Sequence, residues 1–238
     1  MNIIKPRVEL LPNPSTGRPY TKEEGLQIVK HLELCARNCY KSEDKITDES
    51  ANRMIRSLLM RKHESPVEHV SISVRFICDR GVSHEIVRHR LASYSQESTR
   101  YVNYSGDKAG GEITYIDLAG GLAYDINMSQ LPPEMTDAIY EEWLKANEDA
   151  EKHYMKLIEL GATPQIARSV LNNSTKTYLI MSATPREWRN FFSLRCDLAS
   201  HPQMREVARE LLQVMYNIFG VIFEDLYEKY FCIKEGAE

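Results

Sequence analysis

The sequence predicts an α+β fold: a single domain over residues 1–238, with a mainly antiparallel twisted sheet flanked by helices. Three observations lead there. The few strand-like segments do not alternate regularly with helical ones, as a doubly wound parallel sheet would require. No tract rich in Pro, Gly or Ser is long enough to divide the chain, and no internal repeat or low-complexity segment is present. No glycine-rich dinucleotide loop or P-loop occurs, so any nucleotide or flavin must be held by side chains and helix ends.

The elements follow in order. Thr21 with Glu24 forms a capping-box pattern, after which Ile28, Val29, Leu32, Cys35, Ala36 and Cys39 fall on one helical face. A second helix is predicted from about Asp48 to Lys62. The period then changes to two: Val70, Ile72, Val74, Phe76 and Cys78 alternate with His69, Ser71, Ser73 and Arg75, which is a strand. Asp79-Arg80-Gly81 ends it, and Val82 to Arg90 has helical or turn-like composition. Glycines at 106, 110, 111, 120 and 121 mark the segment expected to be most mobile, with a short strand from Ile113 to Leu118 between them. From Pro133 to Gly161 runs a long amphipathic helix with Met135, Ile139, Trp143, Ala146, Ala150, Tyr154 and Leu157 spaced by three or four. Thr175 to Ala183 has strand composition, and Pro185 opens a helix carrying Arg186, Trp188, Asn190, Phe191 and Arg195. The last strong helix aligns Met204, Val207, Ala208, Leu211, Leu212, Met215 and Ile218.

Composition narrows the functional class. The 238 residues are 42% hydrophobic and 27% charged, enough to bury a sizeable core, and the formal charge is -4. That balance argues against a general nucleic-acid or anionic-membrane binder. Five scattered cysteines, an odd number without a CxxC pair, and a polar N-terminus without a secretory leader point to a reducing, cytoplasmic setting. No apolar run approaches the roughly 20 residues that span a bilayer. Metal binding is not expected: His84 and His89 are five apart, and the HExxH arrangement needs four to put both rings on one face.

Against this background the run Arg88-His89-Arg90-Leu91-Ala92-Ser93-Tyr94-Ser95-Gln96-Glu97-Ser98-Thr99-Arg100-Tyr101 stands out. Guanidinium forks offer paired donors to phosphate, and small hydroxyls let the backbone approach it. An arginine-rich run is commonly a solvated helix face. Here Arg88, His89 and Arg90 are consecutive and must point in different directions, which suits contacts to more than one ligand.

The residues Arg88, His89, Arg90, Ser93, Ser98, Arg100 and Tyr101 match the RHRxxSxxxxSxRY signature, and the chain resembles the flavin-dependent thymidylate synthases. Seven fixed positions, each at roughly 5% frequency, match by chance on the order of once in a billion trials. Upstream, His63-Glu64-Ser65-Pro66-Val67-Glu68-His69 resembles the family's HxSPxEH-type segment. Downstream, Arg168, Thr184-Pro185-Arg186, Asn190 and Arg195 resemble its remaining ligands in order and spacing.

The resemblance implies that Ser65, Arg88, His89, Arg90, Gln96, Thr184, Arg186 and Asn190 hold FAD, with His63 either beside the flavin or purely structural. It implies that Glu85, Arg88, Gln96, Glu97, Ser98, Thr99, Arg100, Arg168 and Arg195 surround dUMP. Three positions depart from the common pattern, Ser95 and Gln96 standing for Asn and Glu and Thr184 for an Asn, and Glu85 stands where a Gln is frequent. A carboxylate near phosphate is repulsive, so Glu85 is expected to accept from a ribose hydroxyl or to use its backbone. The implied reaction is reductive methylation of dUMP to dTMP, with methylenetetrahydrofolate as carbon donor, FAD as redox carrier and NADPH as reductant. The implied assembly is a homotetramer with shared active sites.

The resemblance makes Arg195 the catalytic residue, and chemistry supports that role. Methylation at uracil C5 needs electron density there, which a ring not attacked by a thiol gains by losing or sharing its N3 proton. A permanently protonated guanidinium stabilises that charge. No cysteine follows a proline, as a thiol-based synthase would require, and Cys196 is expected to be a packed hydrophobe. Ser98 is assigned to phosphate binding, since no base for a serine nucleophile is evident. The competing class is a single-strand nucleic-acid or nucleotide-binding module that grips phosphates with Arg88, Arg90 and Arg100 and stacks a base on Tyr94 or Tyr101. A degenerate scaffold is disfavoured by the five arginines kept together at 88, 100, 168, 186 and 195.

Overall fold

The structure, a computed structural model, describes residues 1–106 and 110–232. Residues 107–109, within the glycine-rich stretch expected to be mobile, lie outside the described residues. Two short N-terminal strands, β1 (Asn2–Ile4) and β2 (Arg7–Leu10), precede helices α1 (Lys22–Asn38) and α2 (Ser50–Met60). Strand β3 (Ile72–Asp79) leads into α3 (Arg80–Ile86), β4 (Ala92–Gln96), β5 (Thr114–Ile116) and α4 (Ala119–Tyr124). The second half holds the long α5 (Pro133–Glu159), α6 (Pro164–Ala167), β6 (Lys176–Ala183), α7 (Pro185–Arg195), α8 (Pro202–Phe219) and α9 (Glu224–Tyr227).

The main sheet has four strands in the order β2-β3-β6-β4, every pair antiparallel. A separate parallel pair joins β1 to β5. The α+β expectation therefore holds, with three strands that the period-two test passed over: β1, β2 and β4. β4 lies inside the arginine-rich run. Its residues are small and polar, but Ala92, Tyr94 and Gln96 are half-buried while Ser93 and Ser95 are exposed, the alternation of a strand.

Helix α1 begins where Thr21 Oγ1 accepts from the Glu24 amide at 3.2 Å and Glu24 accepts from the Thr21 amide at 3.1 Å, a complete capping box. Val29, Leu32 and Ala36 of the predicted face are buried; Cys39, beyond the last turn, is exposed. Gly25 lets α1 approach α8 closely, since a Cβ there would sit 2.0 Å from the Ile218 carbonyl oxygen.

The main core lies between the sheet and the layer of α1, α2, α7 and α8. Ile72, Val74, Phe76, Leu179 and Met181 from the strands meet Trp188, Phe191 and Phe192 from α7 and the stripe from Met204 to Met215 on α8. A smaller cluster of Tyr104, Ile113, Tyr115 and Tyr154 sits under α5. Of the predicted α5 stripe, Met135 and Ala146 are exposed, Ile139, Trp143, Ala150 and Leu157 are half-buried, and Tyr154 is the one fully buried apolar residue. The helix covers the smaller cluster, not the main core, and Trp143, Tyr154 and Leu157 of the stripe pack there.

Register positions the site. Ile72 of β3 and Ala92 of β4 both face Ala183, the last residue of β6, so the turn before β4 lies beside the start of α7. Trp188 fastens α7 to β3 by donating from Nε1 to the Ile72 carbonyl at 3.1 Å.

Candidate active site

Asp79 caps α3, its Oδ1 accepting from the Val82 amide at 2.7 Å. The helix then tightens into turns in which the amides of Arg88 and His89 donate to the carbonyls of Glu85 and Ile86, each at 3.2 Å. The Tyr94 hydroxyl donates to the Ile86 and His89 carbonyls and ties this turn to β4. The result separates the three leading residues of the run: Arg88 and Arg90 point outward and are exposed, while His89 turns inward and is 5% exposed.

Helix α7 receives that imidazole. Thr184 caps it, accepting from the Glu187 amide, and Glu187, Phe191 and Arg195 follow at four-residue intervals on one face. The His89 ring lies against Phe191, with centroids 5.0 Å apart. On one side its Nδ1 meets Glu187 Oε1 at 3.0 Å; on the other its Nε2 receives Arg195 Nε–H at 3.1 Å. A guanidinium only donates, so Nε2 must be the acceptor and the ring proton sits on Nδ1, donated to Glu187. Burial, reinforced by the Arg195 charge and opposed by Glu187, lowers the His89 pKa below the usual histidine value, which keeps the ring neutral.

Arg195 is held at two further points. Its Nη1 donates to Glu85 Oε2 at 3.0 Å and its Nη2 to the Glu85 carbonyl at 3.1 Å. Three of its five N–H groups are thus engaged. Glu85 departs from the expected role: its carboxylate and its backbone both grip Arg195.

A cleft of about 800 Å³ opens beside the start of α7, lined by Glu64, Glu68, Leu91, Thr184, Arg186 and Asn190 among others. Arg186 pairs with Glu68 and reaches Glu64 at 3.5 Å. Asn190 donates to both carboxylate oxygens of Glu187, at 3.2 and 3.3 Å, and so joins this cleft to the His89 cluster. Ser65 is exposed on the short 3-10 turn Ser65–Glu68 between those two acids, and His63 is exposed just before it.

The expected nucleotide residues form a third group. Gln96 Nε2 donates to Ser83 Oγ at 2.9 Å and to Thr177 Oγ1 at 3.3 Å, linking β4 to α3 and β6. Glu97 takes Lys176 Nζ at 2.8 Å and the Tyr104 hydroxyl at 3.2 Å. Arg168 Nη1 donates to the buried Thr99 hydroxyl at 3.2 Å, and the Arg100 amide donates to Ser98 Oγ at 3.3 Å. Burial, then the charge and hydrogen bond of Glu97, raises the Tyr104 hydroxyl well above the usual tyrosine range, so it stays a donor.

Cys196 is fully buried, and burial pushes its thiol up to about 12, which leaves it a packed hydrophobe and no nucleophile. Sequence reasoning missed Glu187, Lys176, Tyr104, Ser83 and Thr177. One signal was available: Thr184-Pro185-Arg186-Glu187 has the capping-box spacing, which places Glu187 in the first turn of α7 beside the other site residues.

Comparison with known proteins gives a consistent result. The family described as thymidylate synthase complementing protein matches residues 27–219. A flavin-dependent thymidylate synthase of Geobacter sulfurreducens is 31% identical over 199 residues, 81% of this chain and 79% of that one. One from Pseudothermotoga lettingae is 32% identical over 181 residues, 76% of this chain and 77% of that one. In fold, the chain is similar to the crystal structure of the UMP/dUMP methylase PolB from Streptomyces cacaoi bound with 5-Br dUMP. That likeness has a TM-score of 0.72 and 24% identity, covering 98% of this chain and 99% of that one.

Proposed function

The chain belongs to the family of flavin-dependent thymidylate synthases, and from that premise we propose which of its side chains carry the reaction. It is a flavin-dependent methyltransferase that converts dUMP to dTMP. The observation that carries the assignment of roles is the Arg195 guanidinium, fixed by His89 and Glu85 with two N–H groups left over among the described residues.

Those two N–H groups face the pyrimidine in this proposal and stabilise the negative charge that develops when N3 releases or shares its proton. The stabilisation is of the preorganised kind: the donors are held in place before charge appears and need not reorient. The partial neutralisation of Arg195 by Glu85 costs some field strength and gains a fixed geometry. Arg88, Arg100 and Arg168, with Ser98 and Thr99, bind the nucleotide phosphate, and Gln96 and Glu97 shape its approach.

For FAD the residues present are a good match. Arg88 and Arg90 are exposed and have no side-chain hydrogen bond or ion pair among the described residues. Arg186, Asn190, Thr184 and Ser65 gather at or beside the cleft, within reach of a phosphate-bearing, hydrogen-bonding cofactor. His89 is proposed to act through its backbone and its hold on Arg195, since its ring nitrogens are both taken. His63, exposed just before Ser65, joins the flavin side in this reading. When bound, FAD supplies the reducing electrons that turn the transferred methylene into a methyl group.

The carbon donor is proposed to be methylenetetrahydrofolate and the reductant NADPH. The proposed assembly is a homotetramer with shared sites, supported by large apolar side chains at the surface near the site, Leu91 at 79% and Tyr101 at 78% exposure. Five free cysteines support a cytoplasmic location. Among the described residues no helix is long and apolar enough to cross a membrane.

The test is direct. Purified protein should be yellow and should form dTMP from dUMP only with methylenetetrahydrofolate and NADPH together. Protein that is colourless, takes up no added FAD and makes no dTMP would sink the proposal; tight, salt-sensitive oligonucleotide binding in its place would favour the nucleic-acid module.

A further inference from the structure

We propose that Glu187 is the positioning residue of this site: by holding the proton of His89 on Nδ1, it makes Nε2 the acceptor that orients Arg195. The proposal rests on the role assigned above to Arg195.

Two capping sequences of the same type occur in the chain, and their difference carries the inference. At α1 both halves are made, Thr21 to the Glu24 amide and the Glu24 carboxylate back to the Thr21 amide. At α7 only the first half is made: Thr184 accepts from the Glu187 amide, and the Glu187 carboxylate turns away from the helix end. It is 6% exposed and spends its oxygens on His89 and Asn190. A buried carboxylate that gives up a local cap needs a compensating partner, and a neutral imidazole N–H plus an amide N–H provide two hydrogen bonds for it.

The consequence for the imidazole is chemical, not only steric. A neutral histidine has two tautomers, and only one can accept from Arg195 Nε. With the proton on Nε2 the ring would present a donor to a donor, and the guanidinium would swing about its remaining bonds to Glu85. Oε1 of Glu187 receives both the His89 proton and one Asn190 N–H, at 3.0 and 3.2 Å. One carbonyl oxygen at that place can do the same, so a glutamine can substitute where an alanine cannot.

The experiment uses the FAD-bound protein and three variants, E187A, E187Q and R195A, with steady-state kinetics and nitrogen-15 NMR of His89. Expected for E187A is a fall in kcat on the order of 10²-fold, the cost typical of a misplaced catalytic group, with KM for dUMP within about threefold. Its His89 signals should lose the Nδ1–H pattern seen in the parent. E187Q should keep that pattern and recover kcat to within about fivefold, which separates positioning from a general loss of folding in E187A. If E187A keeps both its kcat and the Nδ1–H tautomer, or if E187Q keeps the tautomer without recovering kcat, the proposal is overturned. Unchanged turnover in R195A would overturn it together with the role of Arg195; a large loss in R195A with none in E187A would overturn it alone.

Discussion

The inward and outward sides of the site around His89 are built on opposite plans. Inward, His89 and Arg195 are completed by the protein itself, with Glu187, Glu85 and the Phe191 ring around them. Outward, Arg88 and Arg90 are exposed, and their side chains find no partner among the described residues. Two residues side by side in sequence thus serve different ends. The inner group has a fixed geometry before any ligand arrives, and the outer group keeps its hydrogen bonds for the ligand it is proposed to hold. Orientation costs nothing at the moment of reaction when it is built in, whereas affinity requires donors that are still unspent.

Perturbing each half separately should expose this contrast. The largest effect is expected from R195A, which removes the inner group proposed to stabilise the pyrimidine charge: turnover should fall on the order of 10³-fold while FAD absorbance is retained. Equal losses of flavin and turnover would erase the distinction. R88A and R90A should do the reverse. Each removes a charge-assisted contact of about 1.5–3 kcal/mol, so FAD or dUMP should bind roughly ten- to a hundredfold more weakly, measured by titration, with kcat at saturation reduced much less.

Farther from the site, G25A tests whether the scaffold behind α7 is as tightly set as the inner group. Its Cβ would collide with the Ile218 backbone, and overpacking of about 1–3 kcal/mol should appear as a lower midpoint in urea unfolding. An unchanged midpoint would mean that α1 and α8 separate freely.

The smallest effect concerns pH. Burial first, then the neighbouring Glu210 and Asp117, raise Glu206 on α8 to about 7. The folded carboxyl therefore keeps its proton over a range where the unfolded chain has lost it, and stability falls as pH rises from about 4.5 through 7. E206Q should raise Tm relative to the parent at pH 8 and give no gain at pH 5. A constant difference across that range would assign the effect to packing.

The helices and central strands were legible because burial there is one-sided. Met204 to Met215 and Ile72 to Cys78 repeat at the periods of their elements and meet the same core. β4 was not legible, since Ala92-Ser93-Tyr94-Ser95-Gln96 has no strong apolar face and owes its strand form to pairing with β6. In α5 the period was read correctly, and the stripe is mostly half-buried, because periodicity states which side is apolar and not how much protein covers it. At the site, motif spacing located Arg88, His89 and Arg195 but gave no distances. Glu85 looked like a nucleotide ligand in one dimension and grips Arg195 in three. Glu187 escaped because the capping spacing from Thr184 was the only signal it gave, and that spacing places the residue in the first turn of α7 without saying what its carboxylate meets.

The strand order also carries a kinetic consequence. His89 and Glu187 are 98 residues apart in the chain, and Glu85 and Arg195 are 110 apart, so their contacts close long loops. Such contacts form only after the intervening chain has been ordered, and β6 must dock between β3 and β4 before α7 can reach the turn at His89. In a refolding experiment helical signal should therefore return first and flavin binding last. With the proposed flavin residues drawn from β4 and α7, capture of the cofactor should await the complete topology, and flavin uptake should serve as a clock for the final step of folding.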